Sequence, residues 1–204
     1  MKIINCEQGT DEWLIARLGK ATASCFSKII TSTGTQSQQF QAYAHLLASE
    51  VLTGKPEETF KSYAMELGNE NEFFARNLYQ EQTLSVVQEV GFIDCGEYGC
   101  SPDGLVGDKG LIEIKCPLAA THTKYLFKNQ LPSEYFHQVQ GALYCTGREW
   151  CDFVSYNPNF NDDLQLLIVR VERDEKFITA LSEGIERITE VKQSILKKVL
   201  NDRA

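Results

Sequence analysis

The feature that most constrains the fold is a pair of short apolar segments that flank the tight turn Gly107-Asp108-Lys109-Gly110. The segments are Gly104-Leu105-Val106 and Leu111-Ile112-Glu113-Ile114-Lys115. Two such runs joined by a glycine-containing turn are typical of an antiparallel β-hairpin. The sequence therefore predicts a hairpin near the middle of the chain.

The patterns on both sides of the hairpin predict an α/β fold. Apolar residues recur at helical spacing in several segments, which are residues 13–18, 22–30, 40–52, 65–79, 133–145 and 174–200. Runs rich in β-branched and aromatic residues predict further strands at residues 84–93, 97–100, 151–156 and 164–171. Because no linker divides the chain, we expect one domain over residues 1–204, with a central mixed β-sheet flanked by helices.

Composition excludes several classes of protein. The chain has 204 residues, of which 43% are hydrophobic and 24% charged, so a disordered or fibrous protein is excluded. The net charge of −8 argues against a basic nucleic-acid coat protein. It does not exclude an enzyme acting on nucleic acid, because such an enzyme needs only local positive charge where the backbone lies.

Three further features lead us to expect a soluble cytoplasmic protein. No stretch approaches the roughly 18 apolar residues of a membrane span. The N-terminal residues lack the apolar run of a secretory signal. The seven cysteines contain no CxxC pair, which favours reduced thiols over a disulfide framework.

The predicted hairpin carries two acidic residues that would face each other. If the turn centres on Asp108, Asp103 lies opposite Glu113, with Cβ atoms about 4.5–5.5 Å apart. A divalent cation such as Mg²⁺ or Mn²⁺ would remove the repulsion between them. Lys115 lies on the same strand face as Glu113 and could orient a metal-bound water or offset the charge of a phosphate.

Purely structural roles are also possible for the same residues. Glu113 and Lys115 could belong to a solvated strand face, and the aspartate of a Pro-Asp-Gly sequence is often only a turn residue.

A longer series of motifs supports the functional interpretation. Asp103, followed after ten residues by Glu113-Ile-Lys115, resembles the signature of the PD-(D/E)XK nuclease superfamily. Further motifs lie around it in order, namely Trp13-x3-Arg17-Leu-Gly-x2-Thr22-Ala-Ser24, Gly68-x3-Glu72, Ser101-Pro-Asp-Gly-Leu, Glu113-Ile-Lys-Cys-Pro117, Gln138-Val-Gln140, Tyr156-Asn-Pro158 and Glu172-Arg-Asp-Glu-Lys176. Together they resemble the phage lambda exonuclease and YqaJ-type viral recombinase family, from about residue 6 to 185.

The resemblance implies a restriction-endonuclease-like PD-(D/E)XK core and assigns roles to its matching residues. Asp103, Glu113, the Ile114 carbonyl and Glu72 are similar to the family's metal ligands. Lys115 resembles the catalytic lysine, which acts with Asp103, Glu113 and Glu72. The resemblance implies two Mg²⁺ or Mn²⁺ ions per site, which would clamp the attacking and leaving oxygens of a phosphodiester.

A second set of residues matches positions that hold DNA phosphates in the family, including the terminal 5′-phosphate. These residues are Arg17, Ser24, Ser101 and Gln138. A guanidinium offers a rigid fork of donors for a phosphate. Other interpretations remain open: Arg17 could form a surface ion pair, Ser24 could cap a helix, and Gln138 could be a polar helix residue.

By resemblance, the protein is a metal-dependent 5′ to 3′ exonuclease. It would digest one strand of linear double-stranded DNA and leave 3′ overhangs for phage recombination by strand annealing. The expected partners are DNA ends, a phage single-strand annealing protein and two further copies in a homotrimeric ring, in a bacterial cytoplasm and without a membrane. The alternatives are a structure- or site-specific endonuclease of the same fold and a catalytically idle DNA-binding subunit.

Overall fold

The computed structural model describes residues 1–56 and 63–201, with side chains for residues 1–56 and 71–201. Its α-helices are α1 (Asp11–Arg17), α2 (Phe40–Thr53), α3 (Tyr63–Thr83), α4 (Ala119–Lys128), α5 (Phe136–Thr146) and α6 (Glu175–Asn201). Two 3₁₀ helices span Ala23–Lys28 and Ser133–Tyr135. The strands are β1 (Lys2–Ile4), β2 (Ala21–Thr22), β3 (Val87–Gln88), β4 (Phe92–Asp94), β5 (Tyr98–Cys100), β6 (Gly104–Val106), β7 (Gly110–Lys115), β8 (Trp150–Tyr156) and β9 (Leu166–Glu172).

The strands form two sheets. The larger sheet has the order β3-β6-β7-β8-β9, in which β7 and β8 are parallel and the other pairs antiparallel. The smaller has the order β1-β4-β5-β2, in which only β2 and β5 are parallel. The predicted hairpin is confirmed as β6 and β7 in the larger sheet. The mixed α/β class is also confirmed, but the sequence analysis did not anticipate a second sheet.

Helices cover both faces of strand β7. Ile112 and Ile114 lie in an apolar cluster with Ala75 and Tyr79 of α3. The alternate residue Leu111 lies in the larger cluster, which includes residues of α2, α5 and α6. This alternation follows from the two-residue period of a strand. Glu113 therefore lies on the face opposite the α3 cluster.

A buried polar clamp ties α3 to the sheet. Asp152 on β8 is 1% exposed and accepts a hydrogen bond from the Tyr79 hydroxyl (2.8 Å). The guanidinium of Arg170 on β9 donates to both oxygens of the same carboxylate, at 2.6 and 2.9 Å. A buried charge is stable only when it is paired and hydrogen-bonded, so this clamp restricts where α3 can lie.

Several predicted boundaries are wrong for identifiable reasons. The single strand predicted over residues 84–93 is two strands in different sheets, separated at Gly91, where a Cβ would lie 2.2 Å from the Cys6 carbonyl oxygen. The α-helix predicted over residues 22–30 is a 3₁₀ helix that follows β2. Strand β1 and helix α4 were not predicted.

The structure bears on the expected state of the cysteines and on membrane-spanning helices. All seven cysteines are free thiols. None of the helices in the described ranges is long and apolar enough to span a bilayer.

Candidate active site

The β6–β7 hairpin brings Asp103 and Glu113 together. The register pairs Gly104 with Ile112, and one further step in the same register places Asp103 opposite Glu113. Gly104 permits a close approach of the edge strand, because a Cβ there would lie 2.2 Å from Val87 Cγ1. The turn itself uses Gly107 at a φ of +52°, a conformation that glycine adopts without strain.

Asp103 is fixed by the backbone around it. Its Oδ2 accepts a hydrogen bond from the Ile114 amide at 2.6 Å, across the hairpin. The preceding loop is held by the Gln8 side chain, which donates to the Pro102 and Val90 carbonyls at 3.1 Å each. The carboxylate therefore has a defined position immediately before the start of β6.

Glu113 is buried and lies in a polar cluster. It is 2% exposed, and its Oε1 accepts from Lys115 Nζ (2.6 Å) and Gln138 Nε2 (2.5 Å). Lys115 Nζ also lies 5.3 Å from the centroid of the Tyr135 ring. This burial contradicts the solvated-face alternative for the strand.

Glu72 approaches the pair from helix α3. Its Oε1 accepts a hydrogen bond from Arg76, one turn later on the same helix. The other arm of the Arg76 guanidinium contacts Glu89 Oε2 at 2.7 Å. Glu72 also interacts electrostatically with Asp103, whose charge raises the pKa of Glu72.

Burial raises the pKa values of all three carboxyl groups, and neighbouring carboxylates add to the effect at Glu113 and Glu72. Burial raises the pKa of Glu113 to about 7; Asp103 and Glu72 add to this effect, and Lys115 opposes it. Burial, followed by repulsion from Asp103, raises the pKa of Glu72 to about 7, against the attraction of Arg76. The pKa of Asp103 is also raised by burial, and Lys115 opposes that shift. Three carboxyl groups thus share a site that disfavours their simultaneous ionisation.

The charge of the lysine responds to the same cluster. Burial lowers the pKa of Lys115, but the Glu113 and Asp103 charges outweigh that effect and hold it above its ordinary value. Lys115 is therefore a cation at neutral pH in this arrangement.

The donor set fits a hard divalent cation. The second oxygen of each carboxylate accepts no hydrogen bond from the described residues, which leaves Oδ1 of Asp103 and Oε2 of Glu113 and Glu72 for a ligand. Carboxylate oxygens are the ligands that Mg²⁺ and Mn²⁺ prefer. As they stand, no three acidic, histidine or cysteine side chains of residues 1–56 and 71–201 are arranged to hold an ion outright.

The predicted phosphate-binding residues form a second group beside the first. Arg17 stacks on Trp13, with its Cζ 3.8 Å from the indole centroid, and donates to Thr22 Oγ1 (3.4 Å) and Ser24 Oγ (3.5 Å). The Trp13 indole N–H donates to Ser101 Oγ at 2.8 Å. Trp13 thus connects Arg17 to Ser101, which lies two residues before Asp103.

The positions of these residues bear on the structural alternatives, which were a surface ion pair, a helix cap and a polar helix face. Thr22, not Ser24, is the N-cap of the first 3₁₀ helix, and no ion pair of Arg17 is found among the described residues. Gln138 lies apart from this group, because its amide contacts Glu113. Gln140 is buried and bonds the Glu172 carbonyl and the Asp174 amide, as a structural residue does.

Sequence reasoning missed the supporting residues of the site. Arg76 and Glu89 are thirteen positions apart and meet only through the fold. Tyr135 reaches Lys115 from the second 3₁₀ helix, and no local pattern pointed to it. Thr22 stood in the quoted motif but received no role.

Comparison with known proteins identifies the family. A model of the YqaJ-like viral recombinase domain matches residues 12–149. The chain belongs to this family. The match covers the Arg17 group, the β6–β7 hairpin and Gln138, so the YqaJ-like domain contains both parts of the candidate site.

Solved structures of exonucleases resemble this YqaJ-like chain. An alkaline exonuclease (LHK-Exo) from Laribacter hongkongensis is 38% identical, with a TM-score of 0.86, over 95% of this chain and 98% of that one. The same enzyme was solved in complex with dAMP. A phage-related exonuclease from Haemophilus somnus is 15% identical, with a TM-score of 0.73, over 88% of this chain and 96% of that one. That second likeness concerns the fold alone.

The comparisons support a phage-type exonuclease with a PD-(D/E)XK-like fold. A search of curated proteins found no match to the chain.

Proposed function

We propose that the protein is a divalent-metal-dependent exonuclease that digests one strand of linear double-stranded DNA in the 5′ to 3′ direction, leaving 3′ single-strand overhangs. The observation that carries this proposal is the grouping of Asp103, Glu113 and Lys115 on one hairpin, in a chain 38% identical to an alkaline exonuclease. The Laribacter hongkongensis enzyme was solved with dAMP, which supports a deoxynucleoside monophosphate as product.

The metal ligands we propose are Asp103, Glu113, the Ile114 carbonyl and Glu72, and the ions are Mg²⁺ or Mn²⁺, two per site. Such ions, when bound, lower the pKa of a water and offset charge on the phosphate. The support from this chain is the set of carboxylate oxygens without a hydrogen-bond donor among the described residues. Burial, with added repulsion from Asp103, raises the pKa values of Glu72 and Glu113, and a bound cation would favour their ionised forms.

The remaining groups of the cluster act on charge and position. Lys115 is a cation beside Glu113, so it can offset negative charge that develops on a phosphate oxygen. Gln138 fixes the Glu113 carboxylate through one amide hydrogen, and the second hydrogen of that amide can donate to a DNA phosphate. Neither role requires Lys115 to give up its proton.

A terminal 5′-phosphate would bind at the second group of residues. Arg17 supplies the charge, and the hydroxyls of Ser24 and Ser101 supply neutral donors. Because Trp13 stacks on Arg17 and donates to Ser101, two residues before Asp103, a phosphate held at Arg17 would be connected through these contacts to the segment that carries the carboxylate. This arrangement supports recognition of a DNA end.

Two partners belong to the same proposal. A 3′ overhang is the substrate of a single-strand annealing protein, which we expect to co-purify with the enzyme when both are produced together. A homotrimer enclosing the DNA would keep the enzyme on its substrate. Light scattering should then give a mass three times that of one chain with DNA present; a mass of one chain would contradict the trimer.

Linear and closed circular duplexes of the same sequence test the proposal. With Mg²⁺ we expect the 5′-terminated strand to be digested at each end of the linear DNA, while the circle stays intact. With EDTA neither should change. Cutting of the circle would favour the endonuclease alternative, and no release of nucleotides from linear DNA in Mg²⁺ or Mn²⁺ would favour the idle DNA-binding subunit.

A further inference from the structure

Arg76 is an arginine whose place in the fold is unusual for a purely structural residue. It is 8% exposed and lies one helical turn after Glu72, so the two side chains share a helix face. Its Nε is buried and has no hydrogen-bond partner among the described residues. The contacts of the guanidinium with the described residues are therefore made by its two terminal nitrogens.

The two arms of the guanidinium contact carboxylates in different settings. One arm bonds Glu72 Oε1, which belongs to the acidic cluster. The other contacts Glu89, whose side chain is 69% exposed and lies between β3 and β4. The arginine is thus held between helix α3 and the chain segment that separates the two sheets.

The cation also acts on the cluster as a whole. Arg76 lowers the pKa of both Glu72 and Asp103, in each case against the effect of burial. Its guanidinium therefore lies close enough to both carboxylates to favour their ionised forms.

We propose that Arg76 is a positioning residue for Glu72: by binding Oε1 it fixes the carboxylate and leaves Oε2 for a divalent cation. This inference rests on the metal site of the proposed function. Carboxylates that ligate metals are commonly held by such hydrogen-bonding partners, whose loss costs about 10–100-fold in metal affinity or activity. The planar guanidinium of arginine can bind one carboxylate with each of its two arms, whereas the single ammonium group of lysine cannot reproduce this geometry.

Direct binding of Mn²⁺ without DNA, followed by electron paramagnetic resonance, tests the role. We expect Arg76→Gln to lower the Mn²⁺ affinity of one site by about 10–100-fold. This should be the same site whose Mn²⁺ affinity Glu72→Gln lowers. Arg76→Lys keeps the charge without the fork, and we expect a loss of about tenfold. The matched control is Glu81→Gln, which makes the same kind of change at an exposed position of helix α3 and should stay within about twofold of wild type.

A double variant separates positioning from general damage. If Arg76 acts through Glu72, adding Arg76→Gln to Glu72→Gln should cause no further loss of Mn²⁺ affinity. An equal loss in both backgrounds would overturn the proposal. If Arg76→Gln does not fold, as judged by circular dichroism, Arg76→Lys carries the test, and wild-type binding by that variant would overturn it.

Tighter Mn²⁺ binding after replacement of Arg76 would also decide between roles for this residue. A guanidinium that merely repelled the cation would weaken binding, so its removal would tighten Mn²⁺ binding, and that result would contradict a positioning role. If Glu72→Gln and Asp103→Asn both bind Mn²⁺ as wild type does, the proposed metal site itself is wrong. If they lose binding while Arg76→Gln keeps it, only the inference about Arg76 fails.

Discussion

Glu113 is a buried carboxylate whose surroundings favour catalysis over stability. Because Glu113 is 2% exposed, its ionisation carries a large desolvation free energy. Among its contacts with the described residues, only Lys115 supplies a compensating charge. Asp103 and Glu72 bring further negative charge to the same place. A sequence selected for stability alone would not gather three carboxyl groups here, and this grouping is what motivates the proposed cation site.

The raised pKa of Glu113 predicts how the metal-free protein responds to pH. The folded pKa, about 7, lies above the ordinary value of 4.5. The stabilising contribution of the protonated form is therefore complete below about pH 4.5 and is lost as the pH rises through about 7. In EDTA, wild type should lose free energy of unfolding between pH 5 and pH 8, and Glu113→Gln should lose less, by on the order of 2 kcal/mol.

Urea denaturation of both proteins at the two pH values measures this difference. Glu186→Gln, at an exposed position of α6, makes the same chemical change and should follow wild type. Identical pH dependence in wild type and Glu113→Gln would show that the Glu113 carboxyl does not carry the effect.

At the scale of elements, the group around Arg17 is assembled from separate pieces of the chain. Helix α1 supplies Trp13 and Arg17, the start of the first 3₁₀ helix supplies Ser24, and the loop before β6 supplies Ser101. Helix α6 braces this region, because Lys192 Nζ donates to the Gly19 carbonyl at 2.9 Å. The position of Arg17 therefore depends on contacts from distant parts of the chain.

Replacing Arg17 should change how the enzyme treats the two kinds of DNA end. Arg17→Ala removes the charged donor but leaves the carboxylates in place, so digestion of 5′-phosphorylated duplex should slow by about 10–100-fold, as expected for the loss of a charge-assisted contact of about 1.5–3 kcal/mol. Digestion of 5′-hydroxyl duplex should change much less. Initial rates on matched substrates measure both, and an equal effect on the two ends would contradict a phosphate pocket at Arg17.

The elements also show what a sequence can and cannot predict. The β6–β7 hairpin could be predicted because its turn and its strands are adjacent in the chain. The break at Gly91 and the second sheet could not, because they depend on the contact with Cys6, far away in the chain. Helix α4 buries His122 and Tyr125 while Phe127 is 89% exposed, so its apolar residues do not mark the face that packs on the sheet.

The candidate site divides in the same way. Spacing alone suggested Asp103, Glu113 and Lys115, since they share one hairpin. Family resemblance was needed for Glu72, because a glutamate on a polar helix has no distinguishing local signal. Arg76, Glu89 and Tyr135 escaped both approaches, because their roles exist only as contacts between elements.

At the scale of the whole molecule, an acidic chain has to act on an acidic polymer. The net charge of −8 would repel DNA if it were spread evenly. The candidate site instead gathers cations near the segment from Ser101 to Asp103: Arg17 is connected to Ser101 through Trp13, and the charge of Lys115 acts on Asp103. The proposed metal ions would add positive charge at the same place, so the repulsion is overcome locally.

The central claim is that Asp103 and Glu113 hold divalent cations beside Lys115 to cut DNA. The most direct measurement determines Mn²⁺ bound per chain and nucleotide released from linear duplex, in parallel, for wild type, Asp103→Asn and Lys115→Met. Wild type should show both activities and Asp103→Asn neither. Lys115→Met should bind Mn²⁺ yet release nucleotides slower by at least about 10²-fold. Undiminished Mn²⁺ binding and release by Asp103→Asn would contradict the claim.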